Sequence, residues 1–350
     1  MIGKSRLACQ ALVNSQRRSV IHSGPVSIRD AEAGDRERIS AVPPIESPAY
    51  QPYRWASVDF TIGLRPVRKS EWIQFSSRHA DNMREKRSRL TAQGDRYYRT
   101  LAESLNAQRE LRDLVVAHLV TDHADRYALA GSALTSCHES LAWHLDDPQV
   151  EPLRQLSDII EEDFMLLQEL DGVMRITASS NAYSSSGRLV SAVGETVHWA
   201  HLPVPTLSDK LGVRIDRVLS SVHEDTPCER FNWQVTPMAT LFFPDDPHRA
   251  NADAMHAVRD ALYREPGRVG ERLFIRVERQ TLSRLPASRA VAFSLHTYSD
   301  PLSVLGADPP AALSMLRLLE GYSESRWHYS EMDIVREPLL DYLRRVAAAA

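Results

Sequence analysis

The sequence predicts an α+β fold with a central antiparallel sheet, with helices before and after it, and three observations lead to this prediction. Strand-forming runs occur as hairpins in the middle of the chain, whereas helical periodicity precedes and follows them. Strands and helices do not alternate as they do in a doubly wound fold. The chain contains neither a GxGxxG turn after a strand nor a GxxxxGK[ST] loop, which excludes the common nucleotide-binding motifs.

The first predicted elements are helices over 70–90, 96–119 and 150–162, where apolar residues recur at helical spacing. The helical periodicity then ends. Two strand-like runs, at 164–170 and 173–178, flank Asp171-Gly172. An Asp-Gly pair between such runs is the strongest short-range signal of a β-hairpin. We therefore predict a hairpin at this point.

Further elements follow the predicted hairpin, and one of them is helical before extended segments resume. Two long strands near the C-terminus are joined by a short loop, and a helical region closes the chain. The predicted segments are a helix over 206–222, strands over 230–235, 240–243, 272–282 and 290–298, and helices over 311–319 and 338–346.

The N-terminal residues 1–50 are predicted to form a flexible arm, and residues 51–346 a single folded domain. The arm is polar, shows no sustained period and ends in a proline-containing stretch. Its first 29 residues carry basic side chains and no acidic one, a pattern shared by mitochondrial presequences and disordered leaders. We expect a cytoplasmic bacterial protein, or a mitochondrial one if the source is eukaryotic.

The composition argues against membrane proteins, nucleic-acid-binding proteins and proteins with a local cysteine-based metal motif. The chain has 350 residues, 43% of them hydrophobic and 25% charged, as in soluble globular proteins, and it has no apolar run long enough for a membrane span. A formal net charge of -4 provides no overall attraction for nucleic acid. Cys9, Cys137 and Cys228 are too widely spaced for a local zinc or iron–sulfur motif. We expect neither a membrane nor a nucleic-acid partner.

The two C-terminal strands alternate between apolar and polar residues, which sorts their side chains onto two faces. The polar set is expected to form one continuous polar face of the hairpin. Such a face is either solvated or the lining of an internal cavity that binds a ligand. The apolar set is Leu273, Ile275, Val277, Val291, Phe293 and Leu295, and the polar set is Arg276, Glu278, Gln280, Ser294, His296 and Tyr298.

Histidines are the other candidates for chemistry. His198 and His201 precede a Leu-Pro-Val-Pro segment, whose stiff backbone would hold a side chain in the fixed direction that an axial ligand needs. A hydrogen-bonded structural histidine fits the same position. His144 and Asp146 form an H-x-D pair, typical of non-heme iron sites, but no second histidine can be identified for it. A serine hydrolase is not indicated, because no GxSxG motif is present.

Several segments together resemble the heme-dependent oxidative N-demethylase α-subunit-like family. Residues 274–286 read FIRVERQTLSRLP and residues 292–302 read AFSLHTYSDPL, as in the family's signature. Residues 199–205, WAHLPVP, are similar to its I-H-x-P-V-P element. Further matches occur in the same order at 60–64, Trp72, 171–172, 232–233 and 241–244. The resemblance spans roughly residues 53–302 or beyond.

The resemblance implies a PAS-like antiparallel sheet whose added helices enclose a heme b pocket. It also implies a monooxygenase that oxidises an alkylamine or another amine-bearing small molecule with O2 and releases formaldehyde. Electrons would come from a separate reductase subunit that carries NADPH, flavin and an iron–sulfur cluster. The alternative is a non-catalytic heme-binding sensor with the same fold, because fold does not fix function.

Residue roles follow from the same resemblance. His201 matches the motif histidine and is the expected iron ligand, with His198 as the second choice. The R-V-E-R-Q element matches Arg276, Glu278, Arg279 and Gln280. Its arginines are expected to bind heme propionates or to form stabilising ion pairs, because guanidinium groups bind carboxylates bidentately. The expected catalytic set is Glu278, which would hold the amine by charge, together with Gln280 and His296.

The chain also departs from the family pattern. Residues 181–189 replace a P-S-R-W stretch, residues 194–197 read GETV in place of G-R-P-L, and His296 stands where arginine is common. If these positions shape the pocket, the substrate differs from a small methylamine, and another amine or an amino acid is expected.

Overall fold

The computed structural model describes residues 48–57, 63–183, 189–201, 217–224, 226–242 and 247–349. Residues 1–47 of the predicted arm and residues 206–216 of the predicted helix lie outside this part of the chain. Tyr50 packs into the fold, with its ring 4.7 Å from that of Phe231 and its hydroxyl donating to Gln74 at 2.7 Å. None of the described helices is both long and apolar enough to cross a membrane.

The architecture is α+β, and its centre is an antiparallel sheet of seven strands in the order β1-β8-β9-β10-β6-β7-β2. A separate three-stranded sheet has the order β3-β4-β5. The strands are β1 (Arg65–Pro66), β2 (Tyr98–Thr100), β3 (Tyr127–Ala130), β4 (Ala133–Ser136), β5 (Ala142–His144), β6 (Asp163–Leu170), β7 (Val173–Ser180), β8 (Cys228–Thr236), β9 (Phe274–Arg284) and β10 (Val291–Pro301).

The helices flank the central sheet in sequence. Among the described residues they are α1 (His79–Ala92), α2 (Gly94–Tyr97), α3 (Leu105–Asp122), α4 (Pro152–Ile159), α5 (Val197–His201), α6 (Pro247–Arg264), α7 (Val269–Arg272), α8 (Pro309–Glu320), α9 (Glu324–Tyr329) and α10 (Arg336–Ala347). The helix α8 illustrates how their ends are fixed, because Asp308 accepts the Ala311 N–H as an N-cap and prolines occupy the first turn.

The predicted hairpin at Asp171-Gly172 is confirmed. Strands β6 and β7 pair antiparallel from Leu170 opposite Val173 onward. Asp171 and Gly172 have φ angles of 53° and 75°, and a two-residue turn with both central residues left-handed matches the twist of the strands. Strands β9 and β10 and the C-terminal helices are likewise confirmed.

Other predicted boundaries were wrong. The helix expected from residue 70 begins only at His79, because residues 69–71 form a 3₁₀ turn and 72–78 are irregular. The helix expected from residue 96 begins at Leu105, because 98–100 pair with β7 as an edge strand. Residues 240–242 are not a strand, and residue 243 lies outside the described chain. The helix α6 and the small sheet were not predicted.

The expectation of one polar face on the β9–β10 hairpin was wrong. In the observed register His296 lies opposite Arg279, and Thr297 lies opposite Glu278. Side chains of directly opposed residues share a face, whereas neighbours along a strand do not. Arg276, Glu278 and Gln280 therefore lie on one side of the sheet, and the polar residues Ser294, His296 and Tyr298 lie on the other.

The two sides of the sheet are covered differently, and we name them for what covers them. The helical face carries Ile275, Val277, Arg279 and their β10 partners. Helices α6 to α10 pack on it around Ile275 and Val277, and α3 and α4 pack on it farther along the sheet, around Phe164 and Ala292.

The loop face carries Arg276, Glu278, Gln280 and their β10 partners. Its apolar part is covered by residues 189–199 and by the helical residues 217–221. Contacts from this cover come from side chains of Ala192, Val193, Val197, Trp199, Leu219 and Val222, which pack against Met165, Leu167, Ile176, Leu282 and Val291. The sheet thus has a thick helical layer on one side and a thinner cover on the other.

Candidate functional site

A cluster of buried charged side chains lies on the loop face. Arg276 and Glu278 are 1% and 4% exposed, and the Arg276 Nε lies 3.8 Å from the Glu278 Oε1. Gln280 donates from Nε2 to the Glu278 Oε2 at 3.2 Å. On the neighbouring strand β8, Arg230 lies opposite Gln280. The buried carboxylate of Glu278 therefore lies beside the Arg276 guanidinium and the Gln280 amide, and Arg230 is on the same face.

Burial governs the electrostatics of this cluster. It lowers the pKa of Arg276 to about 10, while the carboxylates of Glu278 and Asp163 oppose that change. Burial likewise lowers the pKa of Arg230, again opposed by Glu278. Arg276 remains a cation at neutral pH, because a pKa of about 10 leaves the protonated form dominant.

Hydroxyl groups with unmet hydrogen bonds lie beside these charges. Thr297 is opposite Glu278 and Ser299 is opposite Arg276 in the β9–β10 register, so both face the same way as the charged cluster. The Oγ1 of Thr297 and the Oγ of Ser299 are buried and have no hydrogen-bond partner in the described chain. Buried polar atoms of this kind usually have a partner, so the position suits a polar ligand or water.

A buried lysine ties the edge of this face to helix α1. The Lys86 Nζ lies 3.0 Å from Asp163 Oδ1 and donates to the carbonyl oxygens of residues 160, 161 and 162 at 3.2, 3.0 and 3.0 Å. Asp163 in turn accepts the Tyr183 N–H at 2.6 Å, and Arg276 donates to the Tyr183 carbonyl. The backbone at Tyr183 is thus held by an acid on one side and a guanidinium on the other.

The two candidate iron ligands belong to α5, on the loop-face side of the sheet. Val197 and Trp199 of this helix pack against the apolar cluster of the loop face. The His198 side chain is exposed. His201 is the last residue of α5, and its side chain lies outside the described residues. The helix therefore brings both histidine positions to the same side of the sheet as Glu278.

Arg279 belongs to a different environment, on the helical face. Its Nε lies 2.7 Å from the Glu229 Oε2, and its terminal nitrogens donate to the Trp72 and Glu71 carbonyls at 2.9 and 2.7 Å. Arg279 is 1% exposed. Each of its three guanidinium nitrogens meets an acceptor of the chain, which identifies Arg279 as a link between the sheet and the segment before α1.

His296 also faces the helical layer, in a buried acid–histidine network. Its Nδ1 lies 3.1 Å from Glu162 Oε1 and its Nε2 lies 3.9 Å from Glu161 Oε2, while His79 Nδ1 is 2.8 Å from the same Glu161 oxygen. Burial alone would lower the pKa of His296, but the two carboxylates together raise it. Burial would raise the pKa of Glu161, but His296 and His79 hold it well below its usual value.

The protonated state of His296 predicts a pH dependence of stability. A histidine whose pKa is raised on folding contributes stability that is fully present below its unfolded value of 6.5 and is lost as pH rises through the folded value. Each unit of elevation corresponds to about 1.4 kcal/mol. We expect the free energy of unfolding to fall as the pH rises above 6.5, and His296→Gln to remove that slope, as measured by urea denaturation at each pH.

The exposed His328 provides the control for this measurement, because it bonds Asp333 at the surface. His328→Gln should leave the slope as it is. An unchanged slope in His296→Gln would show that His296 gains no proton affinity on folding.

The predicted site residues are thus divided between the two faces. Arg276, Glu278 and Gln280 come together on the loop face, whereas Arg279 and His296 lie across the sheet from them. Sequence reasoning missed Arg230, Thr297, Ser299, Lys86 and Asp163. Arg230 alternates with apolar residues in β8 and could have been found from that pattern; no local signal marks Lys86 or Asp163.

Two other candidate sites, a cavity at the end of the β9–β10 hairpin and the H-x-D pair, lack a set of side chains that could bind a ligand or a metal. An open cavity of about 590 Å³ lies at the end of the β9–β10 hairpin, but its arginines are engaged: Arg284 donates to backbone carbonyls and Arg289 pairs with Glu224. Across the described residues, no three His, Cys, Asp or Glu side chains are grouped as a metal site. His144 and Asp146 are both exposed. The non-heme iron hypothesis therefore gains no third ligand.

A comparison with known families agrees with the sequence resemblance. The model of the family described as "haem-dependent oxidative N-demethylase, alpha subunit-like" matches residues 63–340, from just before β1 into α10. The match includes both long strands β9 and β10 and the α5 segment with its two histidines. The chain belongs to the haem-dependent oxidative N-demethylase alpha subunit-like family.

Proposed function

We propose that this chain is a heme-dependent monooxygenase subunit that oxidises an alkylamine or another amine-bearing small molecule with O2. The observation that carries the proposal is the buried carboxylate of Glu278 on the loop face, on the same side of the sheet as the histidines of α5. The family membership supports heme-dependent oxidation. We further propose that the seven-stranded sheet is the core of a PAS-like, heme-binding domain over residues 51–346.

The described residues of the loop face fit a heme, which has an apolar ring and two carboxylates. The apolar side chains of Phe293 and Leu295 adjoin the cluster around Arg276 on the same face. Orphaned hydroxyls and a buried guanidinium suit the propionates. We assign the iron ligand to His201, with His198 as the second choice, and a propionate to Arg276.

Once bound, the heme would supply the oxygen chemistry at the carbon next to nitrogen. The chain's own residues would bind and orient the amine. An ammonium group near Glu278 would gain a charge-assisted hydrogen bond in a site that excludes bulk water. Gln280 holds the Glu278 carboxylate by its 3.2 Å hydrogen bond, and so would fix the direction in which the amine points.

Arg279 and His296 are given supporting roles in this proposal. The Arg279 guanidinium forms an ion pair with Glu229 and donates to two backbone carbonyls. We therefore assign it a role in stabilising the fold by ion pairing, and not in binding a propionate. His296 would act through the sheet by fixing β10 against the 160–163 segment, since its nearest charged partners are Glu161 and Glu162.

Electrons would have to come from outside this chain. An alpha-subunit-like family name implies a partner subunit. We propose a reductase with NADPH, flavin and an iron–sulfur cluster as that partner. This sequence contains neither a nucleotide-binding motif nor a cysteine motif for an iron–sulfur cluster. A cytoplasmic location fits such a pair.

Amine oxidation is tested by supplying reductant, O2 and a panel of secondary and tertiary amines to the heme-reconstituted protein, with formaldehyde and O2 use as readouts. Glu278→Gln should raise KM for the amine by about 10- to 100-fold, because a hydrogen bond to a charged group contributes about 1.5–3 kcal/mol. Glu169→Gln, at an exposed position of β6, should leave KM unchanged.

The outcomes separate enzyme from sensor. Amine-dependent formaldehyde with a KM that depends on Glu278 supports the proposal. Heme binding without product or amine-dependent O2 use across the panel would instead favour the heme-binding sensor.

The axial ligand is tested by absorption spectra of oxidised and reduced protein. His201→Ala should change or abolish the heme spectrum, while His198→Ala should leave it unchanged. The reverse pattern would assign the iron to His198, and unchanged ligation in both variants would contradict the assignment to α5.

A further inference from the structure

The loop face continues from β9 onto β8, where it carries two amide side chains. Asn232 lies directly opposite Glu278 in the antiparallel register of the two strands. Gln234, the next residue of β8 on this face, lies opposite Arg276. Directly opposed residues of an antiparallel pair have Cβ atoms about 4.5–5.5 Å apart on one face of the sheet. Both amides therefore border the buried charged cluster.

Burial changes abruptly between these two strands. Glu278 on β9 is 4% exposed, whereas Asn232 on β8 is exposed and Gln234 is half-buried. The apolar part of the loop face, which its cover packs against, lies farther along β9, around Leu282. Asn232 therefore stands at a solvent-exposed border of the cluster, one strand away from the Glu278 carboxylate.

The two amides differ from their charged neighbours in their hydrogen bonding. Arg276 donates to the Tyr183 carbonyl and lies 3.8 Å from Glu278. Neither Asn232 nor Gln234 makes a side-chain hydrogen bond to another residue that the structure describes. A primary amide carries two N–H donors and a carbonyl acceptor. This edge of the loop face thus presents donors and acceptors to a ligand beside a carboxylate that is already held in place.

We propose that Asn232 and Gln234 determine substrate specificity, and that the substrate is an amine with a second, neutral hydrogen-bonding group, a hydroxyl or an amide. The inference rests on the proposed function, in which Glu278 holds the ammonium group. A carboxylate accepts about four hydrogen bonds, so Glu278 can keep its partners in the chain and also bind an ammonium. A hydroxyl or an amide a few bonds from the nitrogen matches the neighbouring amides, because each of these groups both donates and accepts.

Two ligands of equal size test this specificity. N-methylethanolamine and N-methylpropylamine differ only in that a hydroxyl group replaces a methyl group. Wild type should bind the hydroxyl-bearing amine about 2- to 10-fold more tightly, as expected for one neutral hydrogen bond. Isothermal titration calorimetry of the heme-reconstituted protein measures both affinities, and the ratio of the KM values for O2 use should show the same preference.

Three variants accompany the wild type. Asn232→Leu/Gln234→Met removes both amides and should bring the ratio of the two affinities to about 1. Gln149→Met removes an exposed amide outside the loop face and should keep the wild-type ratio. Glu278→Gln should weaken the binding of both amines by a similar factor, because both carry the ammonium group. Melting temperatures verify that each variant is folded.

The outcomes separate this specificity from the proposed function on which it rests. A hydroxyl preference that is lost in the double variant and kept in Gln149→Met supports the role of the amides. Equal or weaker binding of the hydroxyl-bearing amine by wild type, or a preference that survives in the double variant, overturns it and leaves the proposed function standing.

Failure of the proposed function gives different results. If wild type binds neither amine, amine binding at Glu278 fails, and the specificity role of the amides falls with it. If hemin does not bind, the heme-dependent function fails, and the same calorimetry on the heme-free protein decides the role of the amides. A hydroxyl preference that depends on Asn232 and Gln234 then supports that role, and its absence overturns it.

Discussion

Replacing Arg279 with methionine is expected to lower the free energy of unfolding by about 3–5 kcal/mol, the range measured when one partner of a buried ion pair is removed. The substitution leaves Glu229 buried beside an apolar side chain, 2.7 Å from where the guanidinium nitrogen had been. It also removes the donors to the Trp72 and Glu71 carbonyls. Urea denaturation of the two proteins at neutral pH measures the difference.

Arg65 provides the control, because it pairs with the other oxygen of the same Glu229, at 2.9 Å, from an exposed position. Arg65→Met should cost about 0–1 kcal/mol, as exposed ion pairs do. A similar small effect for both variants would mean that Arg279 does not link the sheet to the segment before α1, and would reopen its assignment to a ligand.

Replacing Lys86 with methionine is expected to have an effect of the same size, about 3–5 kcal/mol. Lys86 and Asp163 are both fully buried, and the ammonium also satisfies three backbone carbonyls that would otherwise have one partner fewer. The variant should also weaken hemin binding if the loop face holds the heme, because Asp163 positions the Tyr183 backbone that Arg276 contacts.

Two further variants control this prediction. Lys69→Met, at an exposed position, should change stability by less than about 0.5 kcal/mol. Lys86→Met/Asp163→Asn should recover part of the loss, since no buried charge is left alone. If the double variant is as unstable as the single one, the carbonyl contacts and not the ion pair account for the effect.

Local signals explain which elements could be predicted from the sequence. The Asp171-Gly172 hairpin needs only two left-handed residues between strand-forming runs, and both are encoded at that point. The long strands β9 and β10 and the helices α8 and α10 have strong periodicity of their own. Boundaries failed where tertiary pairing competes with helical spacing, as at 98–100, which joins the sheet edge.

The division of the site between two faces illustrates what local patterns do not specify. Arg276 and Arg279 are three positions apart in β9. Because side chains alternate between the two faces of a strand, an odd spacing already places them on opposite faces. The partner strand was misassigned because the loop between β9 and β10 is too long for its sequence to set the register. Alternation also cannot distinguish a solvated polar face from a buried one, and here both polar sets are buried or half-buried.

The helix α6 was missed although its sequence contains a helical pattern. Met255 and Leu262 are buried, Val258 packs with them, and Pro247 stands in its first turn. The buried pair Lys86–Asp163, by contrast, could not be predicted from a local pattern. Its partners are 77 residues apart in the sequence, and only the packing of α1 against the start of β6 brings them together.

The measurement that tests the central claim most directly is a titration of the purified protein with hemin, followed by absorption in the oxidised and reduced states. Heme binding on the loop face predicts one heme per chain, with a Soret band that shifts on reduction and weaker binding in Thr297→Val/Ser299→Ala or in Arg276→Gln than in wild type. Absence of a saturable Soret band in wild type would contradict the claim that this chain is a heme-dependent oxidative subunit.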